Sequence, residues 1–383
     1  MTIDPVISLL SDLVAINSVN PTLVPGAPGE SDIAHAVADT MRHAGLDVEL
    51  QEASPGRPNV IGVLDGRRRG PALMLCGHTD TVGVVGMDQP FAPVLKDGRL
   101  YGRGAQDMKA GVAAMIDAAR SIAASGGLAS GRLVIAAVVD EEHSSIGADA
   151  LVTKYRADAA VVTEPTDLAI AIGHKGFAWV EVEVFGKAAH GSRPADGEDA
   201  ILRLGRVLSH LEALDRTLQS RTPHALVGVG SLHASLITGG RELSSYPDHA
   251  SLQLERRLTP AEREGDGLAE VQQILDSLAR EDATFRASAR AMFSRPAYEL
   301  SKDHDLPRMV GEALTKAGGT PSVVGASFWA DSAVLGHAGI PSVLFGPGGA
   351  GLHSTEEYVR VNEVMTCRNA LVELARAFCA RDL

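Results

Sequence analysis

The sequence predicts an α/β fold, in which helices flank a mostly parallel central sheet and a smaller α+β segment is inserted. The chain has 383 residues, about two and a half times a ~150-residue domain, so two domains are expected. Nearly continuous apolar runs at 133–139 and 159–162 are typical of strands buried on both faces. Near residue 175 the pattern changes, because residues 177–185 (FAWVEVEVF) alternate apolar and charged side chains, as in an antiparallel strand with one wet face.

The segments before the insertion alternate between helical and strand-like patterns. Apolar residues at helical spacing predict a helix over 33–41, and Gly45 is a plausible C-cap for it. The other elements expected in this half are, in chain order, strands at 48–50, 59–64 and 71–76, an alanine-rich helix at 110–124, and the buried strands at 133–139 and 159–162.

The insertion and the segment after it complete the predicted fold. The insertion is expected to contain strands at 177–185, 226–237, 250–258 and 285–293 and helices at 199–214 and 261–280. After Pro296 we expect a helix at 306–317, a strand at 342–345 and a helix at 361–379. Residues 1–174 and 294–383 are therefore expected to form one domain, and residues 175–293 the other.

Composition and charge narrow the classes of function. The 35 Lys and Arg residues against 48 Asp and Glu give a formal net charge of −13, which argues against a nucleic-acid or anionic-membrane partner. Cys76, Cys367 and Cys379 form no CxxC pair, so we expect no disulfide framework and a reducing compartment. Residues 1–14 lack the basic start of a secretory signal, and no apolar run approaches the ~20 residues that span a bilayer. A cytoplasmic protein is expected.

Acidic residues and a histidine follow three of the predicted buried strands directly. In chain order they are His78, the pair Glu141 and Glu142, and Glu164. The carboxyl ends of parallel strands meet at one edge of an open α/β sheet, where sites form, so these side chains are expected to lie together.

Two further segments add candidates. Asp107 lies in GRGAQDMKAG (102–111), just before the alanine-rich helix, where it is either a helix N-cap or a ligand. His353 follows a glycine-rich loop after the strand at 342–345. Taken singly, each candidate has an ordinary alternative, as a surface or capping pair, a helix cap or a solvated acidic turn.

Together the candidates match the needs of a site that holds two metal ions. Two histidines with Asp and Glu residues supply the nitrogen and oxygen ligands that suit Zn²⁺, Co²⁺ or Mn²⁺. If Asp107 bridges the ions, each takes one His and one Glu, and Glu141 remains as a general base. Crowded carboxylates repel one another unless a cation neutralises them, which favours the metal interpretation.

The order of these motifs resembles a known family. HxD, GRGxxDMKxG, DEE, TEP, AH and GPG…H follow one another between residues 77 and 358. This order resembles the dizinc metallopeptidase family of acetylornithine deacetylase, succinyl-diaminopimelate desuccinylase, carboxypeptidase G and aminoacylase. The resemblance implies a catalytic dimetal domain in 1–174 and 294–383, and an inserted α+β, ferredoxin-like lid and dimerisation domain in 175–293. It also implies a homodimer.

The resemblance implies a role for each motif residue. The implied metal ligands are His78 and Glu164 for one ion, Glu142 and His353 for the other, and Asp107 as the bridge between both. Asp80 would orient the imidazole of His78. Glu141 would be the general base that passes a proton from water to the leaving amine.

Three residues of the insertion resemble substrate contacts of the family. His190 resembles a lid histidine that reaches the active site of a neighbouring subunit and stabilises the oxyanion; packing in the dimer interface is its alternative role. Arg257 resembles the arginine that grips the substrate carboxylate, and the adjacent Arg256 competes for this role. Ser244 stands where many relatives carry Asn, and it is shorter with one fewer donor, which alters the usual substrate contacts.

We therefore expect a metal-dependent hydrolase that cleaves the amide bond of N-acyl amino acids or small peptides bearing a free carboxylate. One alternative is a dimetal hydrolase of a non-peptide C–N bond, in an aromatic amine or a ureido compound, which the serine at position 244 favours. The other alternative is a non-catalytic dimeric binder, which predicts the loss of a ligand or of the base; all of them are present.

Overall fold

The computed structural model describes residues 3–381 and divides into two compact units. Unit 1 contains the chain up to Ile172, Leu300–Val324 and the chain from Ala330 onward. Unit 2 contains Gly173–Glu299 and Gly325–Trp329, so the expected insertion at 175–293 falls within it. The helices are α1 Pro5–Val14, α2 Ser31–His43, α3 Ala110–Ala124, α4 Ile146–Lys154, α5 Ala200–Gln219, α6 Asp266–Glu281, α7 Asp305–Lys316, α8 Ser332–His337 and α9 Val361–Cys379.

Most strands of the largest sheet belong to unit 1. Its strands are β1 Asp47–Ser54, β2 Arg57–Asp65, β3 Ala72–His78, β6 Arg132–Val138, β7 Ala159–Val162, β8 Ile170–His174, β13 Tyr298–Glu299, β14 Val323–Ala326 and β15 Ser342–Leu344. They run in the order β1-β2-β6-β3-β7-β15-β8-β13, with β14 also paired to β8. The centre, β6-β3-β7-β15, is parallel, and antiparallel strands flank it. This arrangement confirms the predicted α/β fold with a mostly parallel sheet.

The central strands are apolar on both faces because helices cover them. The middle of β3 (Leu73–Cys76) and of β6 (Leu133–Ala137) is almost completely buried. The alanine-rich helix α3 packs on β3 and β6, and α9 packs on α3 and α7. A smaller sheet, in the order β16-β17-β5-β4, joins Val94–Lys96 (β4) and Arg99–Tyr101 (β5) to Gly349–Ala350 (β16) and Tyr358–Arg360 (β17).

Unit 2 is an α+β sandwich. Its antiparallel sheet runs in the order β10-β11-β9-β12, formed by β9 Gly176–Phe185, β10 Ser231–Gly239, β11 His249–Leu258 and β12 Arg286–Arg295. With α5 after β9 and α6 after β11, this is the βαββαβ order of a ferredoxin-like fold. Alternate residues of β9, including Val180 and Val182, pack against the helices, as the predicted alternation requires.

Most predicted elements are present, and several have shifted ends. The helix at 110–124 and the strand at 159–162 have the predicted bounds. The strand expected from residue 226 begins at Ser231, because His224 and Gly228 exchange two backbone hydrogen bonds in a tight turn. Gly228 has a φ of +71°, a conformation that glycine adopts readily.

Other differences arise where polar side chains form local contacts. The helix expected from residue 261 begins at Asp266, since the carboxylate of Glu262 accepts hydrogen bonds from the backbone and hydroxyl of Thr259 in the preceding turn. The sequence pattern predicted neither the helices α1, α4 and α8 nor the strands β8, β13, β14 and those of the small sheet. No helix within residues 3–381 combines the length and the apolar character needed to cross a bilayer.

Candidate metal centre

Each of the four parallel strands carries a predicted ligand at or after its carboxyl end. β3 ends at His78, β6 is followed by Glu141 and Glu142, and β7 is followed by Glu164. The glycine-rich loop after β15 carries His353. Since parallel strands place their carboxyl ends at one edge, residues that are distant in sequence come together there.

The carboxylate of Asp107 lies between the two histidines. Its Oδ1 is 3.2 Å from Nε2 of His78, and its Oδ2 is 3.3 Å from Nε2 of His353. His353 Nε2 is also 3.1 Å from a carboxylate oxygen of Glu142. One carboxylate that presents a separate oxygen to each histidine is the arrangement expected of a ligand that bridges two ions.

Hydrogen bonding fixes the orientation of the His78 imidazole. Its Nδ1 lies 2.9 Å from the backbone carbonyl oxygen of Asp80 and 3.6 Å from the Asp80 carboxylate. The carbonyl oxygen can only accept, so Nδ1 carries the proton and, in the neutral ring, the lone pair of Nε2 points at Asp107. Two lone pairs that face each other at this distance require a shared cation, either a second imidazole proton or a metal ion.

Two of the glutamates present buried oxygens without hydrogen bonds. Among the described residues, Oε1 of Glu142 and Oε1 of Glu164 have no hydrogen-bond partner although both are shielded from solvent. Candidate ligand atoms of His78, Glu141 and Glu164 lie within 4.8 Å of one another, as do those of His78, Asp107 and Glu142. Buried polar atoms are normally paired, so these orphaned oxygens fit a site whose missing partner is a cation.

The pKa shifts of the clustered side chains also indicate that the site favours a bound cation. Burial raises the pKa of Glu141 and Glu164 well above the usual value, and neighbouring carboxylates raise it further. For Glu142, burial and the charge of Asp107 raise the pKa to about 7. Contacts with Asp107 and Glu142 raise the pKa of His353 to about 10. The donor set therefore fits divalent cations, which favour the ionised carboxylates.

The loop around Asp107 depends on close backbone packing. Asp107 lies within a short turn, Ala105–Lys109, with an extended backbone (φ −115°, ψ 96°), and α3 begins after Lys109 without a side-chain cap. The N-cap alternative for Asp107 is therefore excluded. A Cβ on Gly111 would lie 2.1 Å from the carbonyl oxygen of Thr163, so this glycine lets the start of α3 approach the end of β7, next to Glu164.

A buried polar network supports the turn that carries Glu141 and Glu142. The Asp80 carboxylate accepts from the backbone N–H of both, at 3.1 and 3.2 Å. Asn20 donates from Nδ2 to Asp80 at 2.7 Å and to Asp140 at 3.0 Å. The side-chain carboxylate of Asp80 thus holds the turn that carries Glu141, and the backbone carbonyl of Asp80 contacts the imidazole of His78.

Arg57 completes this network, and neither it nor Asn20 is among the predicted site residues. Arg57 lies 2.9 Å from the carboxylate of Asp140 and also pairs with buried Glu30. Asp140 has a φ of +68°, which is unusual for a residue with a side chain, so its conformation needs this support. Asn20 and Arg57 belong to no motif and lie far along the chain from residue 140, which is why no sequence signal marked them.

The residues predicted to contact substrate lie in unit 2. His190 and Ser245 form an isolated antiparallel bridge, and Gly191 N–H donates to the carbonyl of Ser244 at 2.7 Å. This pairing places His190 and Ser244 beside each other. Nδ1 of His190 lies 2.8 Å from the hydroxyl oxygen of Ser192 and 3.2 Å from its backbone nitrogen, so Ser192 holds this side of the imidazole ring.

The two adjacent arginines of β11 have different environments. Arg256 is completely buried and pairs with Glu262 and Glu270 on the helix side of the sheet. Arg257 is 31% exposed, pairs with Glu255 at 2.6 Å and lies over the ring of Phe177. Only Arg257 keeps an accessible guanidinium face.

Comparison with known proteins agrees with the motif order and the fold. The chain is 31% identical to an acetylornithine deacetylase from Myxococcus xanthus, over 97% of this chain and 96% of that one. Its fold is similar to a tripeptidase from Staphylococcus aureus (TM-score 0.83, 21% identity, 98% of each chain) and to an M20 metallo-carboxypeptidase from Sulfolobus solfataricus (TM-score 0.82, 18% identity, 99% and 100%). The model of peptidase family M20/M25/M40 matches residues 74–377. The resemblance read from the motifs is thus confirmed, and the chain belongs to peptidase family M20/M25/M40.

Proposed function

We propose that this M20-family hydrolase cleaves the amide bond of N-acyl amino acids or small peptides that carry a free carboxylate. The observation that carries the proposal is the placement of Asp107 between His78 and His353, with buried glutamates around them. The similarity to an acetylornithine deacetylase across almost the whole chain supports a deacylase-type reaction.

The donor set supports a pair of divalent cations. His78 and Glu164 would hold one ion, Glu142 and His353 the other, and Asp107 both. Nitrogen and oxygen donors of this kind suit zinc first, and cobalt or manganese as well. When bound, the two ions would polarise the scissile carbonyl and acidify the attacking water.

Glu141 is the proposed general base. It lies next to Glu142 in the turn that the Asp80 carboxylate holds, and its Oε2 is 4.0 Å from Nε2 of His78. Its carboxylate would accept a proton from the attacking water and deliver it to the nitrogen of the leaving amine. The products of this sequence are one carboxylate and one amine.

Unit 2 would supply the remaining contacts. Ser192 contacts the Nδ1 side of His190, and an N–H on the Nε2 side would be the type of donor that stabilises an oxyanion. Arg257, with its accessible guanidinium, would pair with the substrate carboxylate, and Ser244 beside His190 would contact substrate as well.

The surface of unit 2 supports a homodimer, in which His190 would serve the neighbouring subunit as the family resemblance implies. Among the described residues, β10 pairs on one side only, and its Leu236 and Ile237 are 64% and 57% exposed. Ile201 and Leu202 at the start of α5 are exposed as well. An apolar sheet edge of this kind is a template for pairing with a second copy.

The cytoplasmic location stays a prediction.

The test is amine release from a panel of N-acyl amino acids and dipeptides, with zinc or cobalt added, against a chelator control. We expect hydrolysis that the chelator abolishes. Release of ammonia without a carboxylic acid product would instead identify a non-peptide C–N bond as the target. Binding of amides without any turnover would identify a non-catalytic binder.

Two variants separate a base from a ligand. Glu141→Gln is expected to keep the metal affinity within a few-fold, while turnover falls about 10²–10⁴-fold. His78→Ala is expected to weaken metal binding itself. Equal loss of metal from both variants would make Glu141 a ligand, and an unchanged metal stoichiometry and affinity in the His78 variant would remove that residue from the site.

A further inference from the structure

One buried ion pair joins the two loops that carry Asp107 and His353. Arg103, four residues before Asp107, donates from Nη1 to Oε2 of Glu357 at 2.7 Å. Glu357 lies four residues after His353. Arg103 is 3% exposed and Glu357 is 1% exposed, so the pair is shielded from solvent. Neither residue belongs to the proposed ligand set.

Glu357 holds the backbone of the Asp107 loop. Its Oε1 accepts from the N–H groups of Gln106 at 2.9 Å and Asp107 at 3.1 Å. Its Oε2 accepts from the N–H of Gly104 at 3.0 Å, in addition to Arg103. Successive backbone N–H groups that converge on an anion form a concave anion site, and here the anion is a side chain of the protein itself. The peptide nitrogen of the bridging residue is therefore fixed by a carboxylate from the His353 loop.

Arg103 holds the His353 loop in return. Its Nη2 donates to the carbonyl oxygen of Ser354 at 2.9 Å, and its Nε donates to the carbonyl oxygen of Gly83 at 3.2 Å. His353 has a φ of +58°, a conformation that residues with side chains seldom adopt. The side chain of His353 is also 55% exposed, so packing alone does not hold it. The guanidinium fixes the backbone directly after this ligand.

We propose that Arg103 and Glu357 form a clamp that positions Asp107 and His353 relative to each other and so sets the affinity and geometry of the metal centre. The inference rests on the proposed metal centre and adds two positioning residues to it. Groups that orient metal ligands typically change metal affinity about 10–100-fold when they are removed. A buried ion pair with only a structural role would change stability but not the metal site.

The test compares Glu357→Ala, Glu357→Gln and Arg103→Lys with a matched control, Asp117→Asn. Asp117 is likewise buried and paired with an arginine, Arg368, but it joins α3 to α9 rather than the ligand loops. For each metal-free variant we would measure zinc affinity and stoichiometry by calorimetric titration, the visible absorption spectrum of the cobalt form, and thermal unfolding.

We expect Glu357→Ala to lower the affinity for at least one of the two metal equivalents by about 10–100-fold and to change the cobalt spectrum. Glu357→Gln keeps one acceptor oxygen, so it should recover part of the affinity. Arg103→Lys keeps the charge opposite Glu357 but loses the fork that reaches Ser354, so its cobalt spectrum should still change. Asp117→Asn should lower the unfolding temperature and leave both metal readouts as in the wild type.

Two outcomes would overturn the clamp, and they are distinguishable. If Glu357→Ala is destabilised like the control but binds both equivalents with the wild-type affinity and cobalt spectrum, the ion pair is only structural and the proposed function stands. If the wild-type protein binds no metal in the same titration, the proposed function fails and the clamp fails with it.

Discussion

Replacing Asn20 by alanine is expected to destabilise unit 1 by about 3 kcal/mol, because the side chain holds two buried carboxylates together. Its Nδ2 donates to Asp80 at 2.7 Å and to Asp140 at 3.0 Å, and its Oδ1 accepts from the N–H of Thr22 at 2.9 Å. A hydrogen bond to a charged group contributes about 1.5–3 kcal/mol, so the two donated bonds together set a range of about 3–6 kcal/mol. Water that enters the vacated polar site would replace some of these hydrogen bonds, so we expect a loss of stability at the lower end of this range.

Asn20→Asp has nearly the same shape but the opposite electrostatic effect. It removes both donors and brings a third carboxylate about 3 Å from the other two, where each like-charge contact costs about 5 kcal/mol at an effective dielectric constant of 20. The folded protein would therefore keep a proton that the unfolded chain releases. Since the new carboxyl has a raised pKa in the folded state, stability is retained below its unfolded pKa, near 4, and is lost as the pH rises.

The assay is urea unfolding of chelator-treated protein at pH 5 and pH 8, because bound metal would add its own stabilisation. Both tryptophans, Trp179 and Trp329, lie in unit 2, so their fluorescence reports that unit. Unit 1 must be followed by far-ultraviolet circular dichroism. We expect Asn20→Ala to lower the free energy of unfolding by a similar amount at both pH values. Asn20→Asp should lower it much more at pH 8 than at pH 5.

Two results would refute this reasoning. A loss below about 1 kcal/mol for Asn20→Ala would mean that water, together with Arg57 at Asp140, satisfies the two carboxylates without the amide. Equal stability of the alanine and aspartate variants at pH 8 would mean that the third carboxylate escapes into solvent.

Three further predictions concern the close approach of α3 to the end of β7, the acid stability of unit 2 and the role of His190. Gly111→Ala would place a methyl group 2.1 Å from the carbonyl oxygen that follows β7, so we expect a loss of about 1–3 kcal/mol and weaker metal binding, measured by unfolding and metal titration. Gly205→Ala, on α5 with open space around it, is the matched control and should be neutral or stabilising. The pKa of Glu262 is lowered in the folded state, because hydrogen bonds from a backbone N–H and a buried arginine outweigh its burial. The ionised Glu262 therefore stabilises the folded state above its unfolded pKa of 4.5, and this contribution is lost as the pH falls below that value. In Glu262→Gln, the free energy of unfolding of unit 2, followed by tryptophan fluorescence, should depend less on pH in the acid range. His190→Ala should lower kcat about 10²–10³-fold with little change in KM, and the opposite pattern in steady-state kinetics would make it a binding residue.

Most of the candidate ligand cluster was predictable because its residues follow buried strands. The apolar runs that became β3, β6 and β7 end at His78, at the Glu141–Glu142 pair and at Glu164, and parallel pairing dictates that such ends meet. The apolar pattern of each single strand therefore predicts a contact between residues that are distant in sequence.

The supporting residues were not predictable in the same way. Asn20 and Glu357 are polar residues in loops, and the partners described above lie 60–254 positions away, so no spacing or periodicity marks them. The two- and three-residue strands of the small sheet, such as Val94–Lys96, are too short to show alternation. The residues alone left Asp107 open between an N-cap and a ligand, and the turn that precedes α3 excludes the cap.

The strand order of the central sheet has a consequence for how the protein is made. β15 comes after unit 2 in the sequence, yet it lies between β7 and β8, which come before it. During synthesis the sheet thus stays open, and the acidic cluster has one histidine instead of two, until His353 has been added. We expect a chain ended before residue 342 to show no thermal stabilisation by zinc, whereas the full chain is stabilised by it. An equal shift in both would contradict this. Metal uptake would then report that translation has passed β15 and His353, so that shorter chains lack the stability that protects them from proteolysis.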